Sequence, residues 1–396
     1  MNILDYLDWR GDLLLEERPF NEIDNLILSS LAYLDLGEIV SDNGDTLDFP
    51  AILAKYNELG REQSYLINNP RPLLEKIVET ERFRATRVGR YVTQTDTEKG
   101  IQFAAMTFYL DDGTAYVAYR GTDDTIVGWR EDFNFALMEE TPGQSESVEY
   151  LNSVAASTDC PLCVGGHSKG GNFAVYAALF CDENVKKRIS IVYSNDGPGF
   201  IHSIAESDEY REMMPKIRKI IPENSLIGIL LTGYEKKHVI KSSAKGIMQH
   251  NPFTWDTLKA RFDPADERSP ISLFMDETLS RWLDGLSDQQ KAGLISAIFD
   301  SLDASGATTL TAIGENLGSL TGVILKTFKE INKETGDAAK ESIGKLLSVG
   351  KEVIADGFKG QFDHIGKVFK KEAAEPPVTM LPEGTPEAAE PAGAES

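Results

Sequence analysis

The stretch that most constrains what this chain can fold into is Gly165-Gly166-His167-Ser168-Lys169-Gly170-Gly171. Just before it, Pro161-Leu162-Cys163-Val164 is a short apolar run that reads as a buried strand. Just after it, Asn172 to Phe180 are mostly small and apolar and read as a helix. Strand, Gly-rich turn and helix, in that order, are the setting of a Gly-x-Ser-x-Gly nucleophile elbow. Ser168 is then expected at the tip of a strained turn, with its hydroxyl projecting from the sheet edge. Gly166 and Gly170 are needed because strand and helix crowd together there. The helix after Ser168 points its N-terminal dipole at the site and favours developing negative charge. The competing reading is a phosphate-binding or purely structural Gly-rich turn. The Walker spacing is absent, since no Lys-Ser/Thr pair follows at the required distance.

Length and charge narrow the field. A chain of 396 residues holds one large domain with an appendage, or two domains. A net charge of −23 argues against a nucleic-acid binder. The start, Met1 to Asp8, is acidic and lacks a basic segment before an apolar core, so no signal peptide is expected. No uncharged apolar run approaches the roughly 18 residues of a membrane span. Cys160 and Cys163 form a lone Cys-x-x-Cys with no second pair for zinc, and Cys163 falls in the expected buried strand. Core packing is the reading over metal or redox chemistry, in a reduced, cytoplasmic protein with no cofactor.

Along the chain, residues 1–80 read as a mainly helical lead-in, with Ile23, Leu26, Ile27 and Leu31 on one helix face. Ile101 to Leu110 and Thr114 to Tyr119 read as a hairpin turning through Asp111-Asp112-Gly113. Arg120-Gly121-Thr122-Asp123-Asp124 follows, about 45 residues before Ser168. A strand ending in Gly-Thr suits an oxyanion-hole loop, with backbone N–H groups as donors and the Thr122 hydroxyl as a further one. Its alternative is an ordinary turn. Further strands are expected at Arg188 to Ser194, ending in Asn195-Asp196-Gly197-Pro198, and at Lys216 to Ile221, ending in Pro222-Glu223. Leu226 to Leu231 and His238 to Lys241 read as a hairpin through Gly233, with His250 beyond. The order Ser, acid, His is that of α/β hydrolases.

The character changes near residue 263, which divides a domain of residues 1–262 from a helical region of 263–371 and a tail of 372–396. Ile354, Phe358, Phe362, Ile365 and Phe369 mark an apolar helix face. Residues 322–371 hold ten Lys against seven acids. That stretch reads first as a helical subdomain folded over the hydrolase. Its second reading is a surface for a peripheral membrane or protein contact. The tail carries six Glu and five Pro without Lys or Arg, and is expected to be disordered.

Arg120-Gly121-Thr122, then Trp129 and Asp132, then Gly166-His167-Ser168-Lys169-Gly170-Gly171 and a later His resemble the class-three, fungal-type lipases. The likeness is closer to a bacterial α/β-hydrolase family related to them, and covers about residues 20–260. It implies an α/β-hydrolase fold with a mostly parallel sheet. It implies Ser168 as nucleophile, His250 as base, and Thr122 and Lys169 shaping the oxyanion hole. The chain departs from the lipases in having Lys169 where they usually have Leu. It departs again at Glu223-Asn224-Ser225, where they place an Asp. Asp196 is therefore the expected acid, because it ends an apolar strand, precedes a rigid Gly-Pro, and stands where pancreatic-type lipases take theirs. Glu223 is the alternative. The expected activity is cleavage of an ester of a lipid or other apolar acyl group. The reading from a different class is a non-catalytic binding module that uses the helical C-terminal region.

Overall fold

The computed structural model describes residues 1–60, 69–123 and 125–304. One eight-stranded sheet runs in sequence order: β1 (Thr46–Leu47), β2 (Arg87–Asp96), β3 (Ile101–Tyr109), β4 (Ala115–Tyr119), β5 (Leu162–His167), β6 (Ile189–Asn195), β7 (Ile217–Pro222) and β8 (Lys237–Ile240). Strands β1 to β4 pair antiparallel, and β4 to β8 pair parallel. A two-stranded ribbon, β9 (Thr257–Leu258) and β10 (Arg261–Phe262), lies apart.

The helices on the N-terminal side are α1 (Ile3–Arg10), α2 (Glu22–Leu31), α3 (Phe49–Glu58) and α4 (Arg71–Ile77). Between β4 and β5 come α5 (Ile126–Asn134) and α6 (Pro142–Ser157). Then follow α7 (Lys169–Phe180), α8 (Glu183–Lys186), α9 (His202–Ala205), α10 (Asp208–Met213), α11 (Pro270–Asp284) and α12 (Asp288–Ala304). Among the described residues, no helix is long and apolar enough to cross a membrane.

Parallel strands need cover on both faces, and β4 shows how its side chains provide it. Tyr116 and Ala118 pack into the core beneath α1 to α4, while Ala115, Val117 and Tyr119 pack into the core beneath α6, α7 and α10. The period-2 alternation thus feeds two cores, and the whole strand is buried. The expected β3–β4 hairpin forms with Tyr109 opposite Ala115. Its turn has Gly113 at φ 83°, a conformation that favours glycine.

Helix α2 is more buried than its apolar stripe suggests. Ile23, Leu26, Ile27 and Leu31 are fully buried, but so are Asp24, Asn25, Ser29 and Ser30. Asp24, Asn25 and Ser29 find partners inside, while Ser30 Oγ has none among the described residues. Asp24 pairs with buried Arg82, whose Nε donates to Oδ1 at 2.7 Å. Asn25 and Asn195 exchange amide hydrogen bonds of 2.9 and 3.1 Å, and Asn195 Nδ2 also reaches the Gly166 carbonyl at 3.1 Å. These bonds tie the ends of β5 and β6, which carry the site, to α2. Leaving any of these polar groups unpaired would cost about 1–3 kcal/mol.

One expected element is corrected. Residues 226–231 and His238 to Lys241 do not form a hairpin. Strand β8 pairs parallel with β7, with Ile220 opposite His238. Residues 226–231 form a loop whose Gly228 N–H turns inward to Asp196. The loop's backbone groups therefore have partners at the site, and β8 completes its ladder on β7 instead.

The helical character expected after residue 263 is seen in α11 and α12. The start of α11 is attached through Ser269 N–H to the Glu223 carbonyl (2.8 Å) and Ser272 Oγ to the Ser225 carbonyl (2.9 Å). The ring of Phe299 on α12 meets Phe133 on α5 at 5.5 Å. The apolar face at Ile354 to Phe369, the basic stretch 322–371 and the tail 372–396 lie outside the described residues. Where 263–371 divides from 1–262 is therefore proposed from sequence alone.

Candidate active site

Ser168 follows β5 directly and caps α7. Its backbone has φ 59° and ψ −131°, a region that costs a non-glycine residue of order 1–3 kcal/mol. Glycines make this turn possible. A Cβ on Gly170 would run into the Tyr119 carbonyl, and one on Gly166 into the Gly170 carbonyl. Ser168 N–H donates to the Asn195 carbonyl at 2.9 Å, so the elbow is held to the residue before Asp196. The Ser168 side chain is half-buried, and its Oγ makes no hydrogen bond among the described residues.

Asp196 directly follows β6 and also has a positive φ, 49°. It is fully buried, and its N–H donates to the Ile220 carbonyl at 2.8 Å. Its Oδ1 accepts from Ser225 Oγ (2.5 Å) and Gly228 N–H (3.2 Å). Its Oδ2 lies 2.6 Å from His250 Nδ1. A carboxylate oxygen accepts, so Nδ1 carries the proton and Nε2 is left as the basic nitrogen. Glu223 is half-buried, and its side chain makes no bond to His250. The structure brings Asp196 to His250 and does not bring Glu223 there.

His250 lies in a 3-10 turn (Gly246–His250), with Trp255 Nε1 donating to the Gln249 carbonyl at 2.8 Å. Beneath it sits His167, fully enclosed, with ring centroids 4.6 Å apart. His167 Nε2 meets the His250 carbonyl at 2.8 Å, and its Nδ1 meets the Tyr33 hydroxyl at 3.0 Å. A carbonyl only accepts, so His167 carries its proton on Nε2. Burial, and secondarily the neighbouring His250, hold its pKa well below the usual histidine value. His167 is thus a neutral floor for His250. His202 is exposed beside Asp284 and His238 lies in β8.

The expected oxyanion loop follows β4. The backbone N–H groups of Thr122 and Lys169 donate to no acceptor among the described residues. The Thr122 hydroxyl is a correction to its expected role as a free donor. It donates to Asp132 Oδ2 at 2.5 Å, because Asp132 on α5 faces it. The Asp132 carboxyl is pushed up to about 6, chiefly by burial. Its Oδ1 is buried without a partner among the described residues.

Lys169 brings a second feature that its sequence position does not announce. Its side chain is fully buried, and Nζ donates to Glu131 Oε2 (3.0 Å), the Gln102 carbonyl (3.0 Å) and Gln102 Oε1 (2.5 Å). Glu131 and Gln102 were not singled out from sequence. An acid three positions after Gly128 on a helix reads as surface until the buried Lys is known.

Cys160, Cys163 and Cys181 are free. Among the described residues, no group of three or more His, Cys, Asp or Glu side chains is arranged to hold a metal ion.

The Mbeg1-like family model matches residues 77–300, which run from the end of α4 into α12. Two fungal lipases are among the similar solved structures. The Rhizomucor miehei lipase, in its propeptide complex, is 13% identical, with 60% of this chain and 79% of that one covered at a TM-score of 0.35. Lipase II from Rhizopus niveus is 14% identical, with 55% and 82% covered at a TM-score of 0.33. No curated protein matches the chain.

Proposed function

The chain belongs to the Mbeg1-like family, and from that premise we propose that it is a serine hydrolase cleaving an ester of a lipid or other apolar acyl group. The observation that carries this reading is the 2.6 Å contact of His250 Nδ1 with Asp196 Oδ2, in a fold where Ser168, held in a strained turn, is hydrogen-bonded to the carbonyl of Asn195, the residue before Asp196. A buried carboxylate orienting an imidazole is the arrangement that activates a serine.

In the proposed reaction, Ser168 Oγ attacks the ester carbonyl and its proton passes to His250 Nε2. Asp196 holds the ring and stabilises the imidazolium. The N–H groups of Thr122 and Lys169 receive the oxyanion, one such donor being worth on the order of 10²–10³ in rate. Collapse breaks the ester C–O bond, and His250 returns the proton to the leaving alcohol. Water, activated by the same His250, then attacks the acyl-enzyme and frees the acid and Ser168. Asp132 holds Thr122 in place by accepting its hydroxyl.

The test is hydrolysis of p-nitrophenyl esters of increasing acyl length by wild type and Ser168→Ala. Turnover lost in the variant is expected. Equal turnover in a cleanly purified variant overturns the mechanism, and an inert wild type favours the binding-module reading.

A further inference from the structure

The Lys169 ammonium takes no part in the proposed reaction, yet it is one of the most enclosed charges in the molecule. Lys169 and Glu131 side chains are both 0% exposed. All three ammonium protons are used, and each goes to something attached to the oxyanion loop. Glu131 lies on α5, next to Asp132, which takes the Thr122 hydroxyl. Gln102 accepts twice from Lys169, and its own Nε2 donates to Asp123 Oδ2 at 3.0 Å, one residue after Thr122. Glu131 is itself full. Its Oε1 accepts Gly143 N–H (2.8 Å) and its Oε2 also accepts Gln102 N–H (3.2 Å).

A buried ion pair is weak evidence for stability, because a well-packed apolar pair of similar volume is often as stable or more so. An apolar pair could also not tie three separate segments by directed bonds. The two N–H groups assigned to the oxyanion sit on the two bodies this pair joins, Lys169 at the head of α7 and Thr122 in the loop before α5. Their spacing decides whether both reach one oxygen, and a misplacement of about 1 Å costs roughly 10²-fold in rate.

We propose that Lys169 and Glu131 form a positioning pair: through Glu131 and Gln102, the buried Lys169 ammonium fixes the distance between the two oxyanion donors. The proposal rests on the serine-hydrolase reading. Neither side chain touches the reacting atoms.

The full chain is compared as wild type, Glu131→Gln, Lys169→Met and the neutral double variant. The readouts are kcat and KM on p-nitrophenyl butyrate, the rate of labelling by a fluorophosphonate, and the thermal midpoint. Both single variants leave a buried charge unpaired and are expected to melt early. The double variant removes both charges and is expected to regain most of the thermal midpoint. Its kcat and labelling rate stay about 10²-fold below wild type, with KM within about twofold. A double variant with wild-type kcat and labelling rate overturns the positioning role and assigns the pair to stability alone. A wild type that neither labels nor turns over defeats the hydrolase reading and this inference with it. A wild type that labels, beside variants that label equally fast, defeats this inference alone.

Discussion

His250 and Asp196 are 54 residues apart in the chain and 2.6 Å apart in the fold. Each of the three residues proposed to act together has its own anchor. Asp196 is fixed by the Ile220 carbonyl, Ser225 and Gly228. His250 is fixed by His167, whose Nε2 donates to its carbonyl, and through the preceding residue, Gln249, whose carbonyl accepts from Trp255 Nε1. Ser168 is fixed to the carbonyl of Asn195.

Asp196→Asn keeps the shape of the side chain and removes the charge that selects the His250 tautomer. A fall in kcat of about 10⁴ is expected, with the fold unchanged by circular dichroism. Glu223→Gln is expected to turn over as wild type does. The reverse outcome would move the acid to the other strand.

Asp132 makes stability depend on pH. Its native pKa of about 6 lies above the unfolded value of about 3.9. Burial is the main cause and Glu131 adds to it, while Lys169, the Thr122 hydroxyl and His250 pull the other way. Between those values the native protein keeps a proton that the unfolded chain has lost. The stabilisation is complete below about pH 4 and is lost as pH rises through about 6. Relative to Asp132→Asn, wild type should lose stability from pH 4 to 6.5 and hold a constant difference above that. Urea unfolding of both proteins across this range gives the answer, and a flat difference contradicts the assignment.

Tyr33→Phe removes the partner of His167 Nδ1 in a fully buried site. The orphaned nitrogen is expected to cost about 1–3 kcal/mol of stability, measured by denaturant unfolding. A variant as stable as wild type would show that the imidazole finds another donor.

Gly170→Ala puts a Cβ into the carbonyl of Tyr119, a backbone atom that cannot step aside. The elbow and β4 must separate, so the variant is expected to be unfolded or to melt far below wild type. A wild-type melting curve would mean the elbow is not packed as described.

The sequence displays the elbow because its constraints are local. A serine in a forbidden turn needs small residues at fixed offsets, and Gly166 and Gly170 supply them. The β3–β4 hairpin is legible for the same reason, through Asp112-Gly113. Strand β2 is not, because its register shifts between Gly89 and Val92, with Arg90 at φ 54°, and the alternation breaks there. Helix α2 looks amphipathic because Asp24, Asn25 and Ser29 are polar. Their partners, Arg82, Asn195 and Tyr116, come from distant segments, and no pattern within the helix reports them. Lys169 has the same character. Its side chain reads as a departure from Leu until Glu131 and Gln102 close around it.

Ser168 is proposed here as an activated nucleophile. The most direct measurement is intact-mass analysis after exposure to a fluorophosphonate, with peptide mapping of the adduct, for wild type, Ser168→Ala and His250→Ala. In that reaction the Ser168 oxygen bonds to phosphorus, fluoride leaves and His250 takes the proton. One adduct is expected on wild type, mapped to Ser168, none on Ser168→Ala, and labelling slowed by orders of magnitude in His250→Ala. An unlabelled wild type, or an adduct on another residue, would contradict it.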